Sequence, residues 1–296
     1  MGIYQPGIIQ PVPEQALYLT CNLRHSANQQ QAIEALQNIK TDNNVIGIGQ
    51  PLLGRFNQSI PGLKTMPVFT SNHINMPSSA TDLWCWLRGS DRGELLHRSR
   101  RIIQQLSTAF DLVDMVDAFR FDQGKDLTGY EDGTENPVGQ AALKAAILNS
   151  ANTAVNGSSY VAVQLWQHDL DVFEAFSDEQ QDNIIGRRRL DNDELEDAPE
   201  SAHVKRTAQE SFEPEAFLLR RSMPWSKNLQ AGLMFVAFGH CFDAFEAQFN
   251  RMIGKDDGIE DALFQFSSVI NGAYYWCPPV IQGQLNLAAI NKQSSQ

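Results

Sequence analysis

The chain restarts half-way along. Ser159–Trp166 (Ser-Tyr-Val-Ala-Val-Gln-Leu-Trp) alternates as a strand, just as Ala16–Leu23 (Ala-Leu-Tyr-Leu-Thr-Cys-Asn-Leu) does. Tyr18 and Tyr160 open these two strands 142 residues apart, and Leu83 and Leu233 stand 150 apart, each ahead of a helical stretch. In the first copy, helical spacing over Asn28–Ile39 is followed by strands at Gly47–Phe56 and Ala80–Leu87. A helix from Gly93 to Phe110 and a strand at Asp111–Asp122 complete it. In the second, a helix over Asp169–Ile185 precedes strands at Phe217–Arg221 and Gly232–Gly239. Phe242–Ile253 then carries a stripe of apolar residues at helical spacing, and Gly272–Trp276 is the last strand. Two β-α-β-β-α-β units therefore divide the chain at 1–150 and 151–296, an α+β fold with antiparallel sheets and helices packed outside. The two sheets are expected to pack near each other, with room between them for a flat ligand.

Charge and composition narrow the function. A formal net charge of −12 over 296 residues argues against a nucleic-acid surface, which needs a basic patch to displace counterions. No apolar run approaches the ~20 residues of a membrane span. The first residues, MGIYQPGIIQPVP, carry no basic segment, apolar core or twin arginine, so a cytoplasmic protein is expected. Cys21, Cys85, Cys241 and Cys277 form no Cys-x-x-Cys pair and read as buried thiols.

Three stretches fall outside the repeating pattern. Gly129–Pro137 sets two glycines around Tyr130, Glu131 and Asp132 and closes on Asn136-Pro137, a shaped loop carrying carboxylates. Arg187, Arg188 and Arg189 run into Asp191–Glu200, six acids in ten residues, which reads as a solvated loop. Beyond it lie His203-Val204-Lys205-Arg206 and then Leu219-Arg220-Arg221-Ser222. The six histidines (His25, His73, His97, His168, His203, His240) show no zinc-like spacing, which leaves a cofactor needing one axial histidine. On position alone His240, beside Cys241, rivals His203.

These three stretches, in this order, resemble the dye-decolourising peroxidases. Gly129-Tyr130-Glu131-Asp132-Gly133 resembles their Gly-x-x-Asp-Gly signature. Ala202–Arg206 resembles their proximal-histidine segment, and Leu219–Trp225 their distal-arginine strand. The similarity runs over nearly the whole chain. It implies two ferredoxin-like halves with one haem b per chain held in the second.

The resemblance also assigns roles. His203 becomes the axial ligand and metal-binding residue, with Asp261 as the acceptor behind it and Glu260 or Asp257 as alternatives. Asp132 is the distal acid/base and Arg220 the charge stabiliser. Arg187 pairs with a haem propionate, Arg188 and Arg189 being its neighbours in that role, and Gly133, Thr134 and Ser222 are further cofactor contacts. Where some relatives have Asn, this chain has Ser222, which weakens any third distal role. The implied partners are hydrogen peroxide and a small organic reductant, dye or phenol, in a homo-oligomer. An encapsulating protein shell is a further option, for which Leu285–Gln296 offers no clear docking peptide. Tyr130, Trp225, Tyr274, Tyr275 and Trp276 raise electron relay through aromatics, but strand-core packing explains them better. Two other readings stand beside peroxidase: a haem-binding or haem-delivery protein, which needs His203 but neither Asp132 nor Arg220, and a cofactor-free α+β protein.

Overall fold

A computed structural model describes residues 3–71 and 73–291; residues 292–296 of the C-terminal tail lie outside it. The main sheet is built from β1 (Gln15–Leu23), β2 (Asn44–Gly49), β3 (Leu83–Gly89), β4 (Phe110–Phe119), β5 (Ser159–His168), β6 (Leu219–Arg220), β7 (Met223–Lys227), β8 (Gln230–Gly239) and β9 (Ser267–Cys277). Every pairing in it is antiparallel. Around the sheet the order is β5-β9-β2-β3-β1-β4-β7-β8, and β8 pairs back onto β5, so the sheet closes like a barrel. The expected pair of facing sheets is thus one continuous sheet. Its two joints are short: Ala118 opposite Trp225, and Ile48–Gly49 opposite Trp276 and Tyr275.

Alternation sorts the side chains. Tyr18, Trp84, Trp86, Phe238 and Tyr275 point into the closed sheet, where Tyr18 stacks between Trp84 and Trp86 at 6.0 and 6.1 Å between centroids. Leu17, Leu19, Cys85 and Leu87 point outward against Ile33 and Leu36 of α1 (Gln29–Gln37) and Leu95 and Ile102 of α3 (Arg92–Leu106). Trp225 and Tyr275 are buried inside, Tyr274 and Trp276 under the outer layer, in line with a packing role. The four cysteines are free thiols, three of them buried.

Several boundaries differ from expectation. The second strand stops at Gly49 because Pro51 starts α2 (Gln50–Arg55), and a Cβ on Gly49 would lie 2.0 Å from Thr81 O. The helix expected over Asp169–Ile185 is two, α5 (Leu170–Ala175) and α6 (Asp178–Ile185), after α4 (Gly139–Ala146). The break is a capping box in which Ser177 accepts from Gln180 N and the Gln180 side chain accepts from Ser177 N. Phe217–Arg221 shrinks to β6, and the strand continues past Arg221 and Ser222 as β7, in keeping with the Leu219–Trp225 strand that the resemblance implies. α8 (Asp243–Met252) packs on the outer face of β5 and β8, Phe249 against Trp166 and Phe245 against Phe235, and α7 (His203–Thr207) packs against α8.

Candidate active site

Between that outer face and α7 and α8 lies a chamber open to solvent at its mouth; the space free of protein atoms, solvent at the mouth included, is about 1090 Å³. Its walls are mostly apolar, with Trp166, Leu233, Phe235, Phe249, Met252 and Leu263 prominent. The Gly129–Pro137 loop closes one side and contributes Tyr130, Asp132, Thr134 and Glu135. The ligand space is therefore outside the barrel, over strands and helices of the second half with the last loop of the first half as one wall, rather than between two sheets.

His203, the first residue of α7, borders the chamber. Gly186 ends α6 in the left-handed region (φ 93°), and a Cβ there would lie 3.1 and 3.2 Å from Val204 and Ala202, so this glycine lets the histidine segment pack closely. Nδ1 of His203 donates to Asp261 Oδ2 at 2.7 Å. The Asp261 side chain is fully buried, and its other oxygen accepts from Leu263 N at 2.8 Å. Ala262 N donates to Ser201 O, tying the two segments together. With the proton on Nδ1, the Nε2 lone pair is available to a metal. The alternatives to Asp261 are engaged elsewhere: Glu260 accepts from Ser71 Oγ, and Asp257 takes the Arg206 guanidinium.

The other histidines separate from it on geometry. His240 borders a different cavity, and His25, His73 and His97 are exposed. His168 does border the chamber, a placement the sequence does not signal. Both its nitrogens are taken, Nδ1 by Ser267 Oγ at 2.7 Å and Nε2 by Asp126 Oδ2 at 3.2 Å. Burial alone would raise the Asp126 carboxyl; the hydrogen bond and charge of His168, with two bonds from Thr128, instead hold it below the usual carboxylate range.

Asp132 and Arg220 meet across the chamber's edge, Oδ1 to Nη1 3.7 Å, both about one-fifth exposed. Asn136 is an unread part of this arrangement. Its amide donates to Arg220 O at 3.1 Å and accepts from Arg220 N at 2.7 Å. Gly133 does not border the chamber; its φ of 78° and bare Cα admit the Asn136 side chain, whose Nδ2 would lie 2.4 Å from a Cβ there. Ser222 borders a second cavity, which shares Asp132, Arg220 and Leu233 with the chamber and is also lined by Asn136.

Of the three consecutive arginines, Arg187 reaches the chamber, paired with Glu135 at 2.7 Å and Glu194 at 3.3 Å. Arg188 binds Asp191 and Asp193, and Arg189 binds Asp178. The acidic run is exposed, as expected, but it also folds back as counter-charge of Arg187 and Arg188. Asn192 (φ 60°) ties it to the signature loop through Glu131 and Thr134, each at 3.0 Å. Tyr130 is buried rather than displayed, with its hydroxyl on Asp182 and the Arg189 guanidinium over its ring.

Residues 123–282 match the family model described as Dyp-type peroxidase, C-terminal, a segment that contains all of these side chains. The chain belongs to the Dyp-type peroxidase family. Over 210 residues it is 30% identical to the dye-decolorizing peroxidase of Mycobacterium tuberculosis, a match covering 69% of this chain and 63% of that relative. The chain thus spans a little under two thirds of that curated relative's length. A solved structure from Shewanella oneidensis superposes with a TM-score of 0.89 at 27% identity, over 99% of this chain and all of the other. A Rhodococcus jostii DypB variant solved in complex with heme gives 0.85 at 22% identity, over 97% and 98%, a likeness of fold. The mixed α+β architecture with antiparallel strands is thus that of Dyp-type peroxidase structures. Among the described residues no helix is long and apolar enough to cross a membrane.

Proposed function

We propose that the chain is a haem-dependent peroxidase of the dye-decolourising type, reducing hydrogen peroxide and oxidising a small organic reductant, dye or phenol, in one-electron steps. One observation carries this reading. A histidine with one nitrogen committed to a buried carboxylate and the other available shares its chamber with a carboxylate–arginine pair. The chamber suits one haem b per chain: aromatic and aliphatic walls for a flat macrocycle, Arg187 and Thr134 for its carboxylates. His203 Nε2 would ligate the iron, and Asp261 would hold the ring and raise its basicity. When bound, the haem supplies a redox-active iron that passes electrons to peroxide.

The protein's own groups manage the proton and the charge. Asp132 takes a proton from one peroxide oxygen and returns it to the other, so that water is the leaving group. Arg220, a cation that keeps its proton, faces the negative charge that develops as the O–O bond breaks. Gly133 acts through the turn it permits, and Ser222 through the neighbouring cavity. A haem-delivery protein would need His203 but not this pair, and the pair's presence favours peroxidase.

The same reading takes residues 1–150 and 151–296 as two copies of a ferredoxin-like unit. In each half the strands, numbered within that half and with β6 and β7 counted as one, lie in the order second, third, first, fourth. A cytoplasmic setting accords with the four free thiols, and the homo-oligomer rests on the family resemblance alone. Nothing among the described residues argues for an encapsulating shell.

The test is a Soret band on the haem-loaded protein, its response to one equivalent of peroxide, and turnover of a phenolic reductant. Arg220→Leu should keep the band and react with peroxide ~100–1,000-fold more slowly, as loss of one such stabiliser does. An undiminished rate would remove Arg220 from the mechanism, and absence of haem binding in the unaltered protein would remove the whole reading.

A further inference from the structure

β6 is only two residues long, and one of them carries the charge that the proposed chemistry needs. Leu219 and Arg220 pair with β8 on one side, opposite Phe238 and Ala237. Arg221 N donates to Val236 O, so the odd-numbered residues turn their backbone groups toward β8. Leu218 and Arg220 turn theirs the other way, toward an edge that no strand covers. A two-residue edge strand bonded on one side alone would fray.

Two side-chain amides stand in for the missing strand. Asn136 takes both backbone groups of Arg220, at 2.7 and 3.1 Å, as an antiparallel neighbour would. Two residues away, Gln209 Oε1 accepts from Leu218 N at 2.8 Å while its Nε2 donates to Glu135 O at 2.8 Å. Both clamps therefore fasten β6 to the loop that carries Asp132. The loop is itself shaped for this: Asn136 N donates to Gly133 O at 3.0 Å, closing a turn over the one position where a Cβ would strike the Asn136 amide.

We infer that Asn136 is a positioning residue for the peroxide step, setting the register between Asp132 and Arg220 by holding the Arg220 backbone. This rests on the assignment of Asp132 and Arg220 made above. The two groups come from segments 88 residues apart in sequence, and their 3.7 Å separation is spanned by the loop from Asp132 to Asn136 and the two amide bonds. Reacting groups lose about a hundredfold in rate when misplaced by ~1 Å. Gln209 shares the load, so loss of Asn136 alone leaves β6 attached but free to slide.

Four proteins decide it: the unaltered chain, Asn136→Ala, Arg220→Leu and the double variant, all haem-loaded and mixed with hydrogen peroxide in a stopped-flow instrument. Asn136→Ala should react ~10–100-fold more slowly, with an unchanged Soret band. In the Arg220→Leu background the same substitution should change the rate by less than about twofold, because a residue acting through Arg220 has nothing left to position. A second readout uses no haem. Amide exchange at Arg220 in the haem-free protein should quicken at least tenfold or so in Asn136→Ala, since its acceptor is gone. Asn136→Asp keeps that acceptor and loses the donor to Arg220 O, so it should fall between; it also serves if the alanine variant folds poorly.

An undiminished peroxide rate in Asn136→Ala, beside a slow Arg220→Leu, overturns the proposal. So does a slowing of equal size in both backgrounds. If Arg220→Leu is itself fast, the distal assignment fails, and the catalytic part of this inference fails with it. The exchange measurement then still decides whether Asn136 holds the strand.

Discussion

Two histidine–aspartate pairs border the same chamber, and they differ in one nitrogen. In His203–Asp261 the imidazole gives Nδ1 to a carboxylate and has no partner for Nε2 among the described residues. In His168–Asp126 the ring is held at both ends, by Ser267 and Asp126. The first pair joins α7 to the segment after α8, with the ring 24% exposed toward the chamber. The second lies at the end of β5, its ring 4% exposed, and fastens the signature loop's approach to the barrel. A buried imidazole bonded twice is a strut. One bonded once, with its remaining lone pair facing a cavity, can be a ligand. Composition and spacing do not separate these cases, and hydrogen-bond inventory does.

The largest effect that could break this contrast is loss of cofactor. His203→Ala is expected to abolish stoichiometric haem binding, read as the Soret band after reconstitution and gel filtration. His168→Ala should bind haem and show instead a lower unfolding midpoint, because it strips partners from Ser267 and Asp126. Haem retained by His203→Ala and lost by His168→Ala would exchange the two roles.

The next effect is smaller and tests the carboxylates. Asp261→Asn keeps the shape but removes the negative charge behind the ligand ring, and its single oxygen can accept from His203 Nδ1 or from Leu263 N but not from both. Outer partners of metal-bound histidines are worth ~10–100-fold in affinity or activity, and a haem dissociation rate raised within that range is expected. Asp126→Asn should leave haem dissociation within about twofold. Equal effects at both positions would mean that Asp261 is no more than a second strut.

How much of this was legible in the sequence follows from how local each feature is. Strand alternation placed Tyr18, Trp84 and Tyr160 correctly because each residue reports its own burial. Closure of the sheet was not legible: its joints, Ala118 with Trp225 and Gly49 with Tyr275, impose no pattern on either segment. The helix break at Ser177 was legible in principle, since Ser177-x-x-Gln180 is a capping-box pattern inside an apparently continuous helix. Pro51, two residues after Gly49, likewise marked a helix start where a strand was read. At the site, the positions of Asp132, His203 and Arg220 came from resemblance, and the structure brings them to one chamber. Asn136 was read only as the stop before Pro137. Its partner is 84 residues away, and nothing in a one-dimensional pattern distinguishes an amide that ends a turn from one that substitutes for a strand.

The smallest predicted effect concerns acid. The Asp126 carboxyl titrates below the usual carboxylate range, held there by His168 and Thr128 against its burial. A carboxyl with a lowered native pKa stabilises the fold above its unfolded value, ~3.9 for aspartate, and that contribution is lost as pH falls through the native value. The sign is therefore fixed. Asp126→Asn should be less stable than the unaltered chain at neutral pH, toward the low end of the ~1.5–3 kcal/mol typical of hydrogen bonds to a charged group. Below pH ~4 the difference should shrink, because protonation removes from the unaltered chain what the substitution has already removed. Urea midpoints for the haem-free proteins from pH 7 to pH 3 measure it. A gap that stays constant to pH 3 would mean that Asp126 acts through shape alone; a gap that closes would mark the His168 pair as an ionic strut and separate it further from His203–Asp261.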